Sequence, residues 1–186
     1  MKIRAAPMKT AHHNDCRCDG CTRLLFYPEL PPLDPPPLDS RSTDWLLWCG
    51  YVGPLIEGKA TLIRRGFLTD GASIPRPVWP VVGHPFQVPL LAYALPHDGE
   101  YAAELHPRDV CDRRMLIGMV DSVNRVKRNV IYSSVRGGGG IPWARHTPEG
   151  IAFARTFCRS IGEEEYYALR KIGHDWLSGV DAAPRI

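Results

Sequence analysis

A histidine and two aspartates near the middle of the chain are the residues whose types and spacing could do chemistry. His97 and Asp98 are adjacent, and Asp112 follows on the far side of a short loop at residues 104–107. If the segments on both sides of this loop are helices, an antiparallel arrangement places His97 beside Asp112. The sequence therefore offers His97, Asp98 and Asp112 as candidate catalytic residues.

The same residues also fit a structural role, because ion-pair networks inside proteins often resemble active sites. In that interpretation His97 and Asp112 form a buried hydrogen-bonded pair. Asp70 and Ser73, which lie upstream in Thr69-Asp70-Gly71-Ala72-Ser73, then cap the turn and the helix that follow them. We take the structural role as the first expectation and catalysis as the alternative.

A second group of chemically active residues lies close to the N-terminus. It consists of Cys16, Cys18 and Cys21, with His12 and His13 just upstream. Three thiolates and one imidazole complete a tetrahedral zinc site, and the Cys-x-Cys-x-x-Cys spacing lets the thiolates converge on one ion. The sequence predicts a metal site here, and free exposed thiols are the alternative. Disulfides are disfavoured by the short spacing and by a reducing cytoplasm.

The other three cysteines, Cys49, Cys111 and Cys158, occur singly within apolar runs and are predicted to be core residues. An iron–sulfur cluster in place of zinc is also chemically possible at the N-terminal cysteines. Its fourth ligand would then come from Cys49, Cys158 or another subunit.

Composition limits the remaining function classes. The 186 residues suit one domain with appended segments, and a formal net charge of +3, well mixed along the chain, does not argue for nucleic-acid binding. No apolar run reaches the roughly 18 residues that a membrane helix needs. The N-terminus lacks the apolar core of a secretory signal, so we expect a soluble protein made in a cytoplasm. The unusual feature is the 18 prolines.

Those prolines define an extended N-terminal arm at residues 1–43, whose proline-rich strap at residues 28–39 can only be extended or polyproline-like. The core domain is expected at residues 44–140. It starts with two aromatic and β-branched runs, residues 45–52 and 59–67, which predict an antiparallel pair of strands.

Helical patterns dominate the rest of the chain. We expect a short helical turn at residues 76–82, a helix at residues 86–103 that Pro96 kinks, a helix from Pro107 and another at residues 126–135 that ends at the Gly137–Gly140 run. A C-terminal helical extension is expected at residues 141–186, with a capped helix from Thr147 and a last helix at residues 160–177. The predicted fold class is α+β: a mostly helical domain with a small antiparallel sheet and an extended Cys- and Pro-rich arm.

Residues 58–140 resemble a domain family of unknown function found in tailed bacteriophages and prophages. Four segments carry the resemblance: Gly66–Pro75 with its Thr-Asp-Gly-Ala-Ser-Ile-Pro sequence, His97-Asp98 with Tyr101, Asp112-Arg113, and Val130–Gly138. Genes of this family commonly lie among tail-morphogenesis genes. The resemblance therefore implies a role in the virion or in its assembly. The chain departs from the family pattern at Pro96 and Gly99.

The segments around His97 and around Val110-Cys111-Asp112-Arg113 also resemble secreted calcium-dependent phospholipases. That resemblance implies that His97 activates a water molecule, Asp98 binds calcium and Asp112 orients the histidine. The disulfide framework of those enzymes and a glycine-rich calcium loop are missing. Thr69-Asp70-Gly71-Ala72 is the only substitute for that loop.

The sequence and its resemblances lead to one expectation and one alternative. We expect a structural component of a phage tail, at the tail tip or an assembly interface, which is made in the host cytoplasm and uses its arm to bind other tail proteins. The host cell envelope is a further expected partner. The alternative is a phage-borne hydrolase that acts on envelope lipid or peptidoglycan through His97, Asp98 and Asp112. An assembly factor that is absent from the finished particle is a third, weaker possibility.

Overall fold

The strands of the described residues form two small sheets. The computed structural model describes residues 24–28, 33–34, 44–47, 49–71, 79–83 and 89–177. The first sheet has the order β1-β4-β5-β7 and consists of β1 (Leu24–Phe26), β4 (Gly50–Val52), β5 (Lys59–Ile63) and β7 (Cys158–Gly162). The second has the order β2-β3-β6 and consists of β2 (Leu33–Asp34), β3 (Trp45–Leu47) and β6 (Leu68–Thr69). All strand pairs are antiparallel except β1 with β4.

Helices make up most of the rest of the described chain. They are α1 (Trp79–Val82), α2 (Leu91–Ala102), α3 (Arg108–Gly118), α4 (Arg125–Gly138), α5 (Gly140–Ala144), α6 (Pro148–Phe157) and α7 (Glu163–Leu177). The predicted α+β class, with a mostly helical domain and a small antiparallel sheet, is confirmed. No helix in the described part of the chain is long and apolar enough to span a membrane.

Helix α2 is the central element, because every one of its residues is buried. It packs on the sheet through Leu95, which shares a core cluster with Tyr51 and Ile63, and its Tyr93 contacts Met115 and Met119 of the α3 segment. A helix that is covered on all sides carries its polar residues into the interior, where each of them must find a partner. The candidate residues His97 and Asp98 are therefore interior residues.

Two departures from the family pattern are explained by the packing of α2. The helix continues through Pro96, whose ring lies on the backbone of Gly53: a Cβ atom at Gly53 would lie only 2.5 Å from Pro96 Cγ. At Gly99, a Cβ atom would lie 3.1 Å from Cys158 Sγ and 3.2 Å from Ile63 Cδ1. Glycine at position 99 thus allows the helix to approach β5 and β7 closely.

The predicted antiparallel pair of strands is confirmed in part. Gly50–Val52 pairs with Lys59–Ile63 as expected, and Glu57 and Gly58, both with positive φ, lie in the turn between them. Trp45–Leu47 belongs to the second sheet instead, where it pairs with Leu68–Thr69. The predicted aromatic run therefore divides between two sheets.

The C-terminal part of the chain differs from its prediction. Residues 158–162 form strand β7 along the full length of β5, so the expectation of helix at residues 160–162 is wrong. Cys158 and Ile161 are buried, and this burial fixes the strand against the sheet. The predicted helical extension at residues 141–186 thus contributes a strand to the core domain.

Other predictions about the helices are confirmed or corrected as follows. Trp79–Val82 is helical as expected, while Phe86 lies outside the described residues and α2 begins at Leu91. Thr147 caps α6 by accepting a hydrogen bond from the Gly150 amide, with Pro148 in the first turn. Helix α4 ends at Gly138, within the Gly137–Gly140 run as predicted, and the short helix α5 begins at Gly140.

Two stretches of the predicted arm are part of the sheets. Leu24–Phe26 adds to the first sheet beside β4, and Leu33–Asp34 adds to the second beside β3. Leu25 and Phe26 are buried in the hydrophobic core. Within these described stretches the arm therefore lies on the chain's own domain.

Candidate functional site

The structure brings His97 and Asp112 together, as the spacing predicted. His97 lies on α2 and Asp112 on the neighbouring α3, and His97 Nε2 is 2.9 Å from Asp112 Oδ1. His97 is 8 % exposed and Asp112 is 1 % exposed. The predicted buried hydrogen-bonded pair is confirmed.

The second oxygen of the Asp112 carboxylate is also occupied. Arg136 of α4 donates from Nη1 to Asp112 Oδ2 over 2.9 Å, and Arg108 Nε lies 3.9 Å from the same oxygen. Because these residues come from α2, α3 and α4, Asp112 joins three helices. Arg136 belongs to the Val130–Gly138 segment of the family resemblance, so three of the quoted segments meet at this carboxylate.

Asp98 faces a different element. Its Oδ2 atom accepts a hydrogen bond of 2.5 Å from Thr69 Oγ1, at the end of β6. Thr69 Oγ1 in turn accepts a hydrogen bond from the Gly71 amide, 3.0 Å away. Asp98 therefore holds the Thr69–Gly71 turn against α2. Asp70 lies in this turn, whereas Ser73 lies outside the described residues, and its capping role stays a prediction.

Burial and these contacts together set the charge states of the site. Burial alone would lower the pKa of His97, but the Asp112 hydrogen bond and the adjacent Asp98 outweigh it and raise this pKa to about 9. Burial opposes ionisation of Asp112, yet the hydrogen bonds from His97 and Arg136 hold its pKa below the usual range. Burial raises the pKa of Asp98, against the opposing effects of His97 and Thr69. At neutral pH the site is an imidazolium–carboxylate pair.

Tyr101 connects this pair to the glycine run. Its Oη atom donates to the Gly139 carbonyl over 3.0 Å and accepts from Arg108 Nε over 2.7 Å. A Cβ atom at position 139 would collide with the same hydroxyl group, which explains glycine there. The ring of Tyr101 also packs against His97 and Trp143, with centroids 5.0 and 4.7 Å away.

Sequence reasoning missed a second buried network on α2. Glu100 Oε1 accepts hydrogen bonds from Thr61 Oγ1 over 2.5 Å and from Arg114 Nε over 2.9 Å. Arg114 also donates to the carbonyls of Ile56 and Lys59, at 2.9 and 3.1 Å. The sequence carried one signal for this network. Glu100 is a carboxylate within a largely apolar helix, and a buried carboxylate needs a buried partner.

A small cavity lies between the two networks. Its lining includes Thr61, Pro96, His97, Glu100 and Arg114, and it has about 10 Å³ of space for the centre of a water molecule. That volume suits roughly one water. The cavity is therefore too small to admit a lipid or a glycan to His97.

The predicted metal ligands Cys16, Cys18, Cys21, His12 and His13 all lie outside the described residues. Within the described ranges, no group of three or more histidine, cysteine, aspartate and glutamate residues is arranged to hold a metal ion. Cys49, Cys111 and Cys158 are buried, as predicted for core residues. Burial raises the pKa of Cys111 to about 12, which makes its thiol unreactive.

Comparison with protein families gives one match, which covers the region just described. Residues 51–135 match the family model described as "Protein of unknown function (DUF1353)". The matched region contains all of β4 except its first residue, strands β5 and β6 and most of helix α4, and it includes His97, Asp98 and Asp112. Neither the comparison with curated proteins nor the comparison with solved structures gives a match.

Proposed function

We propose that this chain is a non-enzymatic structural component of a bacteriophage tail, at the tail tip or an assembly interface, and that its N-terminal arm binds neighbouring tail proteins. The proposal that the chain is not an enzyme rests on one observation: His97, Asp98 and Asp112 are already bonded to other side chains. His97 is buried and protonated at neutral pH, and an imidazolium cannot accept a proton from water. Asp98 and Asp112 are bonded to Thr69, His97 and Arg136.

The network has a clear structural purpose in this proposal. Asp112 ties α2 to α3 and α4, and Asp98 ties α2 to the turn after β6. The segments that carry the phage-family resemblance are therefore the segments whose polar side chains bond to one another. The tail setting itself rests on that resemblance and on the arm.

The direct test is the protein composition of the particle. Mass spectrometry of purified virions, from the phage or prophage that encodes the chain, should find it as a stoichiometric tail component. Its absence from virions would contradict the proposal and favour an assembly factor or a lytic enzyme.

The arm has its own test, whose boundary follows from the fold. Leu24–Phe26 and Leu33–Asp34 are sheet strands, so the informative deletion removes only residues 1–23. We expect the shortened protein to fold but to fail to join the particle. The matched control is a deletion of residues 178–186 at the other end, which should still incorporate.

We further propose that the arm binds one zinc ion or an iron–sulfur cluster through Cys16, Cys18, Cys21 and His12 or His13. The support is the spacing of the three thiols, and the arm would need such a staple because it has no core of its own. Elemental analysis of the reduced full-length protein should find zinc or iron near one site per chain, and Cys18→Ser should remove it. Cys111→Ser is the control, because that thiol is buried in the domain.

One observation favours the hydrolase as a second candidate. His97 uses Nε2 for Asp112, so its Nδ1 atom is left 3.8 Å from Asp98 Oδ1. The Thr69–Asp98 hydrogen bond also brings the only substitute for a calcium loop next to Asp98. Calcium would then bind at Asp98. Calcium-dependent release of fatty acid from lipid vesicles, abolished by His97→Asn, would establish this activity and overturn the non-enzymatic proposal.

A further inference from the structure

The start of helix α4 carries a basic patch on the surface of the molecule. The patch consists of Val120, Arg125, Val126, Lys127 and Arg128. Within the described residues none of its three cations forms an ion pair, and the first turn of α4 contains no acidic residue. Asp121 is the only acidic residue between positions 115 and 138. The N-terminal end of a helix itself favours anions. The basic patch is therefore suited to an anionic partner.

The start of helix α7 carries the opposite charge. The acidic patch consists of Glu163, Glu164 and Tyr167, and the tyrosine follows the two glutamates at the spacing that places side chains side by side on a helix. Both glutamates are exposed and form no ion pair in the described part of the chain, whereas Glu165 pairs with Arg159. The acidic patch is therefore suited to a cationic partner.

Each patch also exposes large apolar side chains. Val126 and Val120 of the basic patch are 64 and 50 % exposed, and Tyr167 of the acidic patch is 54 % exposed. They are three of the four large hydrophobic residues that are exposed in the described part of the chain. A contact between the two patches would remove apolar surface from water in addition to pairing the charges.

The two patches lie on opposite sides of the first sheet. Leu62 of β5 packs with Tyr166 of α7, whereas the next residue, Ile63, packs with Leu95 of α2. Because successive side chains of a strand point to opposite faces, α7 and α2 cover opposite faces of this sheet. Helix α4 lies on the α2 side, where Ile131 belongs to a core cluster with residues of α2. The sheet and α2 therefore separate the two patches within one chain.

We propose that copies of this chain associate head to tail, with the basic patch of one copy against the acidic patch of the next. Charge complementarity favours a second copy as the partner, because every chain carries both halves of the contact. Since the patches lie on opposite sides, each contact leaves one patch of either kind unoccupied. Association therefore continues beyond a dimer into a ring or an open chain. This interface does not involve the N-terminal arm and does not depend on a role in a phage tail.

The first test uses the unmodified full-length chain. Equal amounts of isotope-labelled and unlabelled protein are mixed and treated with a carbodiimide, which joins an amine to a carboxylate that it contacts. Mass spectrometry should find Lys127 linked to Glu163 or Glu164, with one labelled and one unlabelled peptide in the pair. These links should disappear in about 1 M salt, where the screening length is only about 3 Å. A protein that stays monomeric, or that self-associates without these mixed links, would overturn the proposal.

Charge reversal provides the second test. One variant carries Arg125→Glu with Lys127→Glu, and the other carries Glu163→Lys with Glu164→Lys. Each should self-associate at least about tenfold more weakly in sedimentation velocity, because attraction between the patches becomes repulsion. An equimolar mixture of the two variants should associate again, since opposite charges then face each other. Unchanged self-association of either variant, or two folded variants that stay apart when mixed, would contradict the head-to-tail contact.

A matched control reverses two exposed cations outside the basic patch, Arg64→Glu with Arg145→Glu. It changes the net charge as much as Arg125→Glu with Lys127→Glu does, and it should leave self-association unchanged. Loss of association in this control would show that net charge governs assembly, which would overturn the assignment to the patches. Circular dichroism verifies that each variant is folded. If a reversal variant does not fold, cross-linking of the unmodified chain decides alone.

Discussion

Helix α2 carries two ionic networks that differ in their access to solvent. Glu100 and Arg114 form a sealed pair, with side chains that are 4 and 5 % exposed, and Arg114 uses its other donors on main-chain carbonyls. The His97–Asp112 network starts in the same interior but ends at Arg136, whose side chain is 38 % exposed. One network is therefore closed, and the other reaches the surface.

This difference in access to solvent indicates how each network responds to the loss of one of its side chains. In the sealed network each donor atom has a single acceptor, so the loss of one group leaves its partner without another protein group to replace it. In the open network Asp112 is shared by His97, Arg108 and Arg136, so losing one partner leaves others. We therefore expect the sealed pair to matter most for stability and the open network to determine how stability depends on pH.

The largest effect is expected from Arg114→Met. This change leaves the Glu100 carboxylate buried with only Thr61 as a partner, and breaking a buried ion pair in this way costs about 3–5 kcal/mol. Urea unfolding measures it directly. The control is the double variant Arg114→Met with Glu100→Leu, which removes both charges and should recover part of the loss. Equal stability of Arg114→Met and the natural protein would contradict the sealed network.

A smaller effect is expected from pH, through His97. Its pKa is raised to about 9 in the folded protein from a usual value near 6.5, so its contribution is complete below pH 6.5 and is lost as pH rises through 9. Between pH 6.5 and 8.5 the free energy of unfolding should fall by about 2 kcal/mol. Two carboxyl groups face His97: the pKa of Asp112 is held below its usual range, whereas burial raises the pKa of Asp98. The Cys111 thiol, whose pKa burial raises to about 12, ionises only at higher pH.

The variant His97→Asn isolates this contribution. It should have a lower melting temperature at pH 6.5 and a nearly flat dependence of stability on pH up to 8.5. A His97→Asn protein that keeps the natural pH dependence would show that another group titrates. The slope would then say nothing about the open network.

The smallest effects are expected at the surface, where two arginines provide a matched comparison. Arg113 pairs with Glu57, and their side chains are 56 and 49 % exposed, so Arg113→Gln should cost no more than about 1 kcal/mol. Arg136→Gln removes a donor from the buried Asp112 and should lower the melting temperature more than Arg113→Gln. The reverse order would mean that His97 and Arg108 alone satisfy Asp112.

The fold could be predicted where short-range patterns decide it. The Thr147-Pro148 helix start, the pairing of residues 50–52 with residues 59–63, and the facing of His97 and Asp112 across a short loop all depend on residues close in sequence. The buried single cysteines were also predictable, because each sits in an apolar run. Local propensity and spacing were sufficient in these cases.

The rest was decided by contacts between distant segments. Strand β7 is five residues long between two helices, and it forms only because β5, far away in the sequence, offers its edge. Glycine at position 99 makes sense only once α2 lies against Cys158 and Ile63. Charged residues such as Glu100 and Arg114 need partners when they are buried, but the sequence does not show which residues those partners are. Spacing thus determined that His97 and Asp112 meet, whereas tertiary packing alone buried the pair and supplied Arg136.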